Sequence, residues 1–339
     1  HTICRMVHSA SGHLGNRQCN YFNDEYWCHL TTESLTTVEQ NVQRMESKIE
    51  WSRTRKSLFF KCPRAWYLRY GMRRKSSNRK AASFQRPWDL MLRAMKETLL
   101  DQLEDLKEGK EWSMLLTENQ LKSSLENQLS ESVHHISEHT KEALLKFARS
   151  RYRLLWRTRI LQQLLKRRHA QWYVLDRSEP ILHGIRKLYV SPDLAIRIQN
   201  RWHLVRFDMQ KSPTKAHDEH EANAMVFWAL NHEGFNAPSE TYRLHTIGWR
   251  QGFWKCDTFQ PTSQSIHLSQ QLLEHDMKAM EEIVQCGKRN LALLPLAKNK
   301  RTCNSCFFRK FCPGGENLEL GKKEQALLEL SANSFKAGY

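Results

Sequence analysis

The chain contains 339 residues, which is long enough to bury one large core or one core with a sizeable helical insertion. Its 53 lysine and arginine residues outnumber its 36 aspartate and glutamate residues, giving a formal net charge of +17. Such an excess favours nucleic acid or an anionic membrane surface as a partner. No apolar run approaches the roughly 18 residues needed to span a bilayer, so a membrane-embedded protein is not expected.

The cysteine content predicts a metal or cluster site in preference to a disulfide framework. The chain has nine cysteines, an odd number, and they are unevenly distributed. Disulfides persist mainly in secreted proteins, and nothing near His1 has the apolar core of a secretion signal. A cytoplasmic location is therefore expected.

Residues 1–45 mix histidine, serine, asparagine and glycine without a clear period, which predicts a flexible N-terminal arm. The arm contains six potential zinc ligands: Cys4, His8, His13, Cys19, Cys28 and His29. Their spacing fits no standard zinc finger, so a disordered or loosely attached arm is the preferred interpretation.

A short helical segment is predicted after the arm. Ser57 is suited to cap a helix, Pro63 to the first turn of the next one, and Gly71 to its end. Cys62 lies at the junction of the two helices, where a thiolate can point outward from a rigid corner. A lone cysteine in such a place more commonly fills a core.

A basic loop follows over residues 72–86, and the chain then becomes helical. Helical periodicity covers three segments: 88–106, roughly 112–129, and 133–170. The last segment is strongly basic, with no acidic residue between Arg149 and Asp176. Charge runs usually form a solvated helix face, but this one-sided bias favours a face that contacts phosphates.

Apolar and polar residues alternate on both sides of residues 199–201, within the stretch 188–213. This alternation predicts two half-buried strands joined by a tight turn. Asp193 opens the first strand and Asp208 closes the second, so antiparallel pairing brings their carboxylates together. Such close like charges repel unless a cation lies between them, and Mg²⁺ prefers carboxylate oxygens. The alternative is an ordinary surface ribbon with two solvated aspartates.

On the second strand, Asp208 and Gln210 share one face, whereas Phe207 and Met209 share the other. Lys211 therefore points away from Asp208 unless a bulge re-aims it.

Further elements follow the hairpin: a helix over 218–231, two strands within 241–258, and a helix over 269–285. Asn223 and Phe227 are four positions apart and share one face of the first helix. The order of elements predicts an α/β fold with a mixed sheet and flanking helices.

Three cysteines near the C-terminus follow the spacing C-x2-C-x5-C: Cys303, Cys306 and Cys312. Three soft ligands demand a fourth, for zinc or for an iron–sulfur cluster. No cysteine or histidine follows the triplet, so the fourth ligand must come from earlier in the chain. Cys62 is the first candidate, and Cys256 and Cys286 are alternatives.

Together these features resemble the RecB-like branch of the PD-(D/E)XK nucleases. Within that branch the likeness is to the cluster-bearing members, the AddB nuclease domain and the CRISPR-associated RecB-like exonucleases. The resemblance covers about residues 50–315 and is carried by five features: Cys62-Pro63-Arg64, Pro192-Asp193, Asp208 with its strand, the pair Asn223 and Phe227, and the terminal cysteine triplet.

The resemblance implies a restriction-endonuclease-like mixed central sheet flanked by helices, within a nuclease domain over 46–320. A helical insertion is then expected at about 105–175, a cluster loop at 300–315 and a C-terminal tail at 321–339. Four cysteines would hold a structural [4Fe–4S] cluster: Cys62, Cys303, Cys306 and Cys312. Zinc is the alternative occupant.

By the same resemblance Asp193, Asp208 and the backbone carbonyl of Met209 bind catalytic Mg²⁺ or Mn²⁺. Four residues are expected to bind substrate: Asn223, Phe227, Arg93 and Arg64. The chain departs from the family pattern at three places. Asn223 and Phe227 stand where the family has glutamine and tyrosine, and two other positions also differ. Gln210 stands where the family has a lysine, so Gln210 or Lys211 would assist the water, and Arg93 stands near where the family has a metal-binding histidine.

The leading hypothesis is a nucleoid-associated, metal-dependent DNA nuclease, acting on single strands or ends in DNA repair or CRISPR adaptation. The rival is a catalytically degenerate DNA-binding subunit of a larger repair or spacer-acquisition complex. Helicase or CRISPR-adaptation proteins are the expected partners, with no membrane association. A zinc-stapled protein without a nucleic-acid role is a third, weaker hypothesis.

Overall fold

A computed structural model describes residues 49–72, 86–130, 136–166, 171–175, 179–184, 186–209, 215–235, 237–310, 312, 314–315 and 317–336. Side chains are described throughout these ranges except at 215–218 and 334–336. The described elements belong to one unit, which begins at Ile49. The predicted N-terminal arm lies outside the described residues, as do Gln210 and Lys211. Within the described part of the chain, no helix combines the length and apolarity that a bilayer crossing requires.

A run of helices comes before most of the strands in the described part of the chain. The α-helices are α1 Arg53–Lys61, α2 Pro63–Trp66, α3 Pro87–Lys107, α4 Met114–Ser130, α5 Glu138–Leu155, α6 Arg159–Lys166, α7 Lys215–Leu230, α8 Ser263–Arg289, α9 Lys300–Asn304 and α10 Leu318–Lys336. A π-helix spans Tyr67–Gly71, and short 3₁₀-helices span Ser239–Thr241 and Leu291–Leu293. The strands are β1 Glu50–Ser52, β2 Trp172–Val174, β3 Ile181–His183, β4 Arg186–Tyr189, β5 Leu194–Ile198, β6 Arg201–Asp208, β7 Arg243–Arg250 and β8 Phe253–Phe259.

The strands form two mixed sheets flanked by helices, which confirms the predicted α/β class but not a single central sheet. The larger sheet has the order β2-β5-β6-β7-β8, and the smaller one has the order β1-β4-β3. The chain passes from the smaller sheet to the larger one between β4 and β5. Pro192 lies in this connection and has no N–H to donate, so a continuous ladder cannot form there.

The predicted hairpin is present as β5 and β6, paired antiparallel with Leu194 opposite Val205. Its turn residues, Gln199 and Asn200, have φ angles of 50° and 61°. Two consecutive positive φ angles are typical of the type I′ turn, whose twist matches that of the flanking strands. From β6 the chain crosses over through α7 and returns as β7, which is parallel to β6.

The larger sheet separates two apolar cores. On one face, Val205 and Phe207 of β6 pack with the helices α3 to α6. On the other face, Trp202 and Leu204 pack with α7 and α8. The predicted helical insertion therefore forms one of the two layers that cover the sheet. Its last predicted helix is two helices, α5 and α6, separated by a turn at residues 156–158.

Two of the predicted boundaries, at Ser57 and at residue 320, fall inside helices. Helix α1 begins at Arg53, and the side chain of Ser52 caps it by accepting a hydrogen bond from the N–H of Arg55. Ser57 therefore lies inside a helix. The boundary expected at residue 320 also falls inside a helix, α10.

A buried histidine in the larger sheet is expected to make stability depend on pH. His245 Nε2 lies 2.9 Å from His203 Nδ1, and burial, reinforced by the charge of His203, lowers the pKa of His245 to about 3. Because the ordinary value is 6.5, the unfolded chain takes up this proton first. The stability that neutral His245 contributes is present above pH 6.5 and lost as pH falls towards 3.

We expect His245→Gln to reduce the loss of unfolding free energy between pH 7 and pH 4.5 by about 2 kcal/mol. Urea unfolding at both pH values measures this difference. His267→Gln, which changes an exposed histidine of α8, is the control and is expected to leave the difference unchanged. An equal loss in the wild type and the His245 variant would contradict the prediction.

Candidate active site and cysteine cavity

The two predicted acids, Asp193 and Asp208, lie at the same end of the β5–β6 hairpin. The N–H of Asp193 donates to the carbonyl of Val205 at 2.8 Å. Its carboxylate Oδ2 accepts from the N–H of Phe207 at 2.7 Å, one residue before Asp208. The residue exposures are only 0% for Asp193 and 7% for Asp208. The hairpin thus holds the buried carboxylate of Asp193 against the backbone of the residue that precedes buried Asp208.

Basic side chains from two helices contact these acids. Lys96 of α3 places Nζ 2.6 Å from Oδ1 of Asp193. Arg53 of α1 places Nη2 2.5 Å from Oδ2 of Asp208 and Nε 2.7 Å from Oε2 of Glu221. Buried carboxylates are costly unless they are paired, so these contacts offset the burial of the acids.

Glu221 of α7 is a third carboxylate at this site. Burial raises the pKa of Glu221, whereas the positive charges of Arg53 and Arg206 act in the opposite direction. The guanidinium of Arg206 is itself buried and donates to the carbonyl oxygens of Val190 and Ser191. The site therefore contains alternating acidic and basic groups with little access to water.

Lys96 was not among the predicted site residues, whereas Arg93 of the same helix was. Arg93 is exposed, and its Nη1 lies 3.5 Å from Oε1 of Gln128 on α4. The two basic residues are three positions apart and lie on neighbouring parts of the helix surface, but Lys96 is partly buried. Leu92 and Leu99, which flank Lys96 on the apolar face, are buried. A lysine on the apolar face of a helix was the signal in the sequence.

Glu221 and Arg53 had no comparable signal in the sequence. Glu221 belongs to a run of charged and polar residues at the start of α7, where one acid resembles the others. Arg53 is one of several basic residues in α1. Packing between segments that are distant in the sequence brings these two side chains to the site.

The residues expected on the helix behind the acids have little open surface. Asn223 is 2% exposed, and its Oδ1 has no hydrogen-bond partner among the described residues. Phe227 is partly buried and borders a small cavity with Leu188 and Leu273. The side chain of Met209 is buried in the core that lies between the larger sheet and the helices α3 to α6. The burial of Asn223 leaves it no surface for the predicted contact with DNA.

Four cysteines border one cavity of about 320 Å³: Cys62, Cys303, Cys306 and Cys312. Cys62 occupies the corner between α1 and α2, where its Sγ accepts from the N–H of Ala65 at 3.4 Å. Burial raises the pKa of the thiols of Cys62, Cys303 and Cys306. Metal ligation needs the thiolate form, so a bound cation would have to overcome this effect.

The two alternative cysteines do not border this cavity. Cys256 lies in β8, with Sγ 3.8 Å from Nδ1 of His245. Cys286 belongs to α8 and packs at the edge of the α7–α8 core.

Arg64 is the residue whose position differs most from the prediction. It is 2% exposed, and its guanidinium donates to the carbonyl oxygens of Ala292 and Leu294. Its Nη1 also lies 3.9 Å from Sγ of Cys312. The prediction that Arg64 binds substrate is wrong, because these contacts use its donors inside the protein. Arg64 instead attaches α2 to the chain segment before the cysteine loop.

The donors around the cysteine cavity determine which metal group can fit it. Among the described residues, no three histidine, cysteine, aspartate or glutamate side chains form a group suited to one metal ion. The four cysteines that border the cavity supply the four thiol donors that a [4Fe–4S] cluster uses. The donor chemistry therefore fits a cluster.

Comparison of the sequence with protein-family models and with curated proteins finds no match. The resemblance to RecB-like nucleases accordingly depends on the motifs named above and on their arrangement in space.

Proposed function

We propose that this chain is a metal-dependent DNA nuclease of the RecB-like PD-(D/E)XK type, acting on single strands or DNA ends. The observation that carries the proposal is the burial of Asp193 and Asp208 at the same end of an antiparallel hairpin, where Asp193 accepts a hydrogen bond from the N–H of Phe207. The finer fold assignment, a restriction-endonuclease-like core, is part of the same proposal. It is supported by the β6–α7–β7 crossover, which places Asp208 beside Gly248 of the parallel strand.

The carboxylates of Asp193 and Asp208 provide oxygen donors of the kind that Mg²⁺ and Mn²⁺ prefer. When bound, such an ion would lower the pKa of a water molecule and stabilise charge on the scissile phosphate. Asp193 is held in place by the N–H of Phe207, and Arg53 orients Asp208 and Glu221. The low exposure of these side chains excludes bulk water, which strengthens every charge interaction at the site.

We assign to Lys96 the positive charge that the family takes from the position of Gln210. Its ammonium group contacts Asp193, so it lies beside the proposed metal ligands. A fixed positive charge near a scissile phosphate stabilises the charge that develops in the transition state.

Lys96→Met is expected to lower the single-turnover rate of cleavage by about 10²–10³-fold while leaving DNA affinity nearly unchanged. Lys96→Arg, which keeps the charge, should restore part of the rate. Lys107→Met, an exposed change at the C-terminal end of the same helix, is the matched control and should cleave at the wild-type rate. Thermal unfolding should first show that Lys96→Met is folded. If this variant then cleaves at the wild-type rate, Lys96 has no role in the mechanism.

The same proposal includes a structural [4Fe–4S] cluster at the four cysteines, with zinc as the alternative. The cavity that these cysteines share supports it. Iron and zinc counts after anaerobic purification distinguish the two occupants. A thiolate-ligated iron cluster also gives a brown solution that absorbs at roughly 400 nm.

A second candidate function is a DNA-binding subunit that keeps the fold without catalysis, within a repair or spacer-acquisition assembly. The observation that favours it is Arg53, which contacts both Asp208 and Glu221. An arginine held in this way competes with a divalent cation for the same carboxylates.

Digestion of end-labelled single-stranded DNA with Mn²⁺, and with EDTA as the control, separates the two functions. Cleavage that needs the metal supports the nuclease. Tight binding without cleavage at any metal concentration supports the binding subunit.

A further inference from the structure

Three aromatic rings and one arginine form a continuous strip on the face of the larger sheet that α3 to α6 cover. The rings of Phe147 and Trp88 are 5.9 Å apart between centroids and meet edge to face. The guanidinium carbon of Arg151 lies 4.7 Å from the ring centroid of Trp88 and 4.4 Å from that of Trp249. We call these four residues the aromatic–arginine strip.

The strip is held in place by a buried residue beneath it. Trp254 is 9% exposed, and its ring meets that of Trp249 edge to face at 5.3 Å. The indole N–H of Trp254 donates to the backbone carbonyl of Arg151 at 2.8 Å. This contact fixes α5 against β8, so the strip is preformed on rigid elements.

Two properties distinguish the strip from ordinary packing between helices and sheet. The side chain of Phe147 at its outer end is 54% exposed, although a phenyl ring gains from burial. Arg151 forms no salt bridge within the described part of the chain, whereas Arg149 and Arg153 of the same helix both contact Glu118. The charge of Arg151 is therefore available to an anionic ligand.

Helix α3 connects the strip to the acid pair. It carries Trp88 and, roughly 12 Å further along its axis, Lys96, which contacts Asp193. In the sheet Gly248 is the register partner of Asp208, whereas Trp249, the next residue of that strand, points to the opposite face. A single strand that continues from the strip along α3 would therefore pass Lys96 before it reaches the acids.

We propose that the aromatic–arginine strip binds single-stranded DNA and delivers it to the acid pair. Unpaired bases stack on aromatic rings regardless of sequence, and an arginine between the rings meets the phosphate backbone. Duplex DNA keeps its bases inside the helix and cannot use the rings. This inference rests on the proposed function, because the acid pair gives the strip its place in the reaction.

The test measures the affinity of the full-length chain, in EDTA, for a labelled 20-nucleotide oligo-dT strand and for a labelled duplex. Phe147→Ala is expected to weaken single-strand binding by about tenfold and to leave duplex binding unchanged. Arg151→Gln should weaken single-strand binding by a similar factor. Binding of the strand should also quench the tryptophan fluorescence, because Trp88 and Trp249 lie in the strip.

Phe253→Ala is the matched control. Phe253 is 50% exposed, and its ring lies against Lys255, on the opposite side of β8 from Trp254. Its loss should leave both affinities unchanged. The proposal would be contradicted if Phe147→Ala bound the single strand with wild-type affinity. It would also be contradicted if Phe253→Ala lost as much single-strand affinity as Phe147→Ala.

The readout is separate from that of the proposed function, since EDTA prevents cleavage during the measurement. If the protein binds single strands through the strip but does not cleave them, binding by the strip is supported and the nuclease proposal is contradicted. If the wild type and Phe147→Ala cleave equally well at limiting DNA, the nuclease proposal stands and the proposal that the strip binds DNA is contradicted.

Discussion

Replacement of Asp208 by alanine is expected to lower the rate of single-stranded DNA cleavage by at least about 10³-fold, or ~4 kcal/mol of transition-state stabilisation. The substitution removes one of the two carboxylates proposed to hold the metal ion. It also leaves Arg53 with only Glu221 as its acidic contact among the three proposed site carboxylates. The quantity to measure is the single-turnover rate in Mn²⁺, across a titration of the metal.

The isosteric Asp208→Asn separates chemistry from folding, because it keeps the volume of the buried side chain. It should be as inactive as Asp208→Ala while binding DNA in EDTA like the wild type. Asp257→Ala is the matched control, since Asp257 lies in the same sheet and also contacts an arginine, Arg250. Cleavage by both Asp208 variants at the wild-type rate would rule out this acid pair as the metal site.

The acid pair was accessible from the sequence because every step towards it is local. Alternation with a period of two gives the strands, and Gln199 and Asn200 give a turn that needs positive φ angles. Once the turn is fixed, the register of an antiparallel hairpin is fixed as well. The nearness of Asp193 and Asp208 then follows from geometry.

The groups that surround the acids were not accessible, because their positions depend on contacts between distant segments. Arg53, Lys96 and Glu221 come from three different helices, and no local pattern pairs them. The smaller sheet is similar: β1 is three residues long and pairs with β4, which follows it by more than 130 positions. Arg64 was misread for a related reason, since arginines are mostly exposed unless buried carbonyl groups accept their donors.

Replacement of Cys62 by serine is expected to remove the iron from the protein and to lower its unfolding free energy by about 5 kcal/mol. A cluster that joins Cys62 to the C-terminal triplet closes a loop of about 240 residues. Such a closure restrains the unfolded chain far more than a local one would. Iron per chain and the thermal unfolding midpoint, both measured anaerobically, check the two parts of the prediction.

Serine is preferable to alanine here because Cys62 also caps a helix. Its Sγ accepts from the N–H of Ala65, and a serine hydroxyl is a good acceptor at this position. The loss of stability in Cys62→Ser therefore reports the cluster and not the cap. Cys286→Ser, which lies away from the cavity, is the control and should keep both its iron and its unfolding midpoint.

If the proposed cluster has only a structural role, the loss of Cys62 should not affect the chemistry of cleavage. At a temperature well below its lowered midpoint, Cys62→Ser should still cleave DNA at a rate close to that of the wild type. The reason is spatial: the acid pair is contacted by Arg53 of α1, by Lys96 of α3 and by the backbone of the β5–β6 hairpin, which lie in other elements than the four cysteines. Chemical reduction of the wild-type cluster should likewise leave the rate unchanged. A rate that follows the oxidation state would instead assign the cluster a redox function, and full iron content in Cys62→Ser would place the fourth ligand elsewhere.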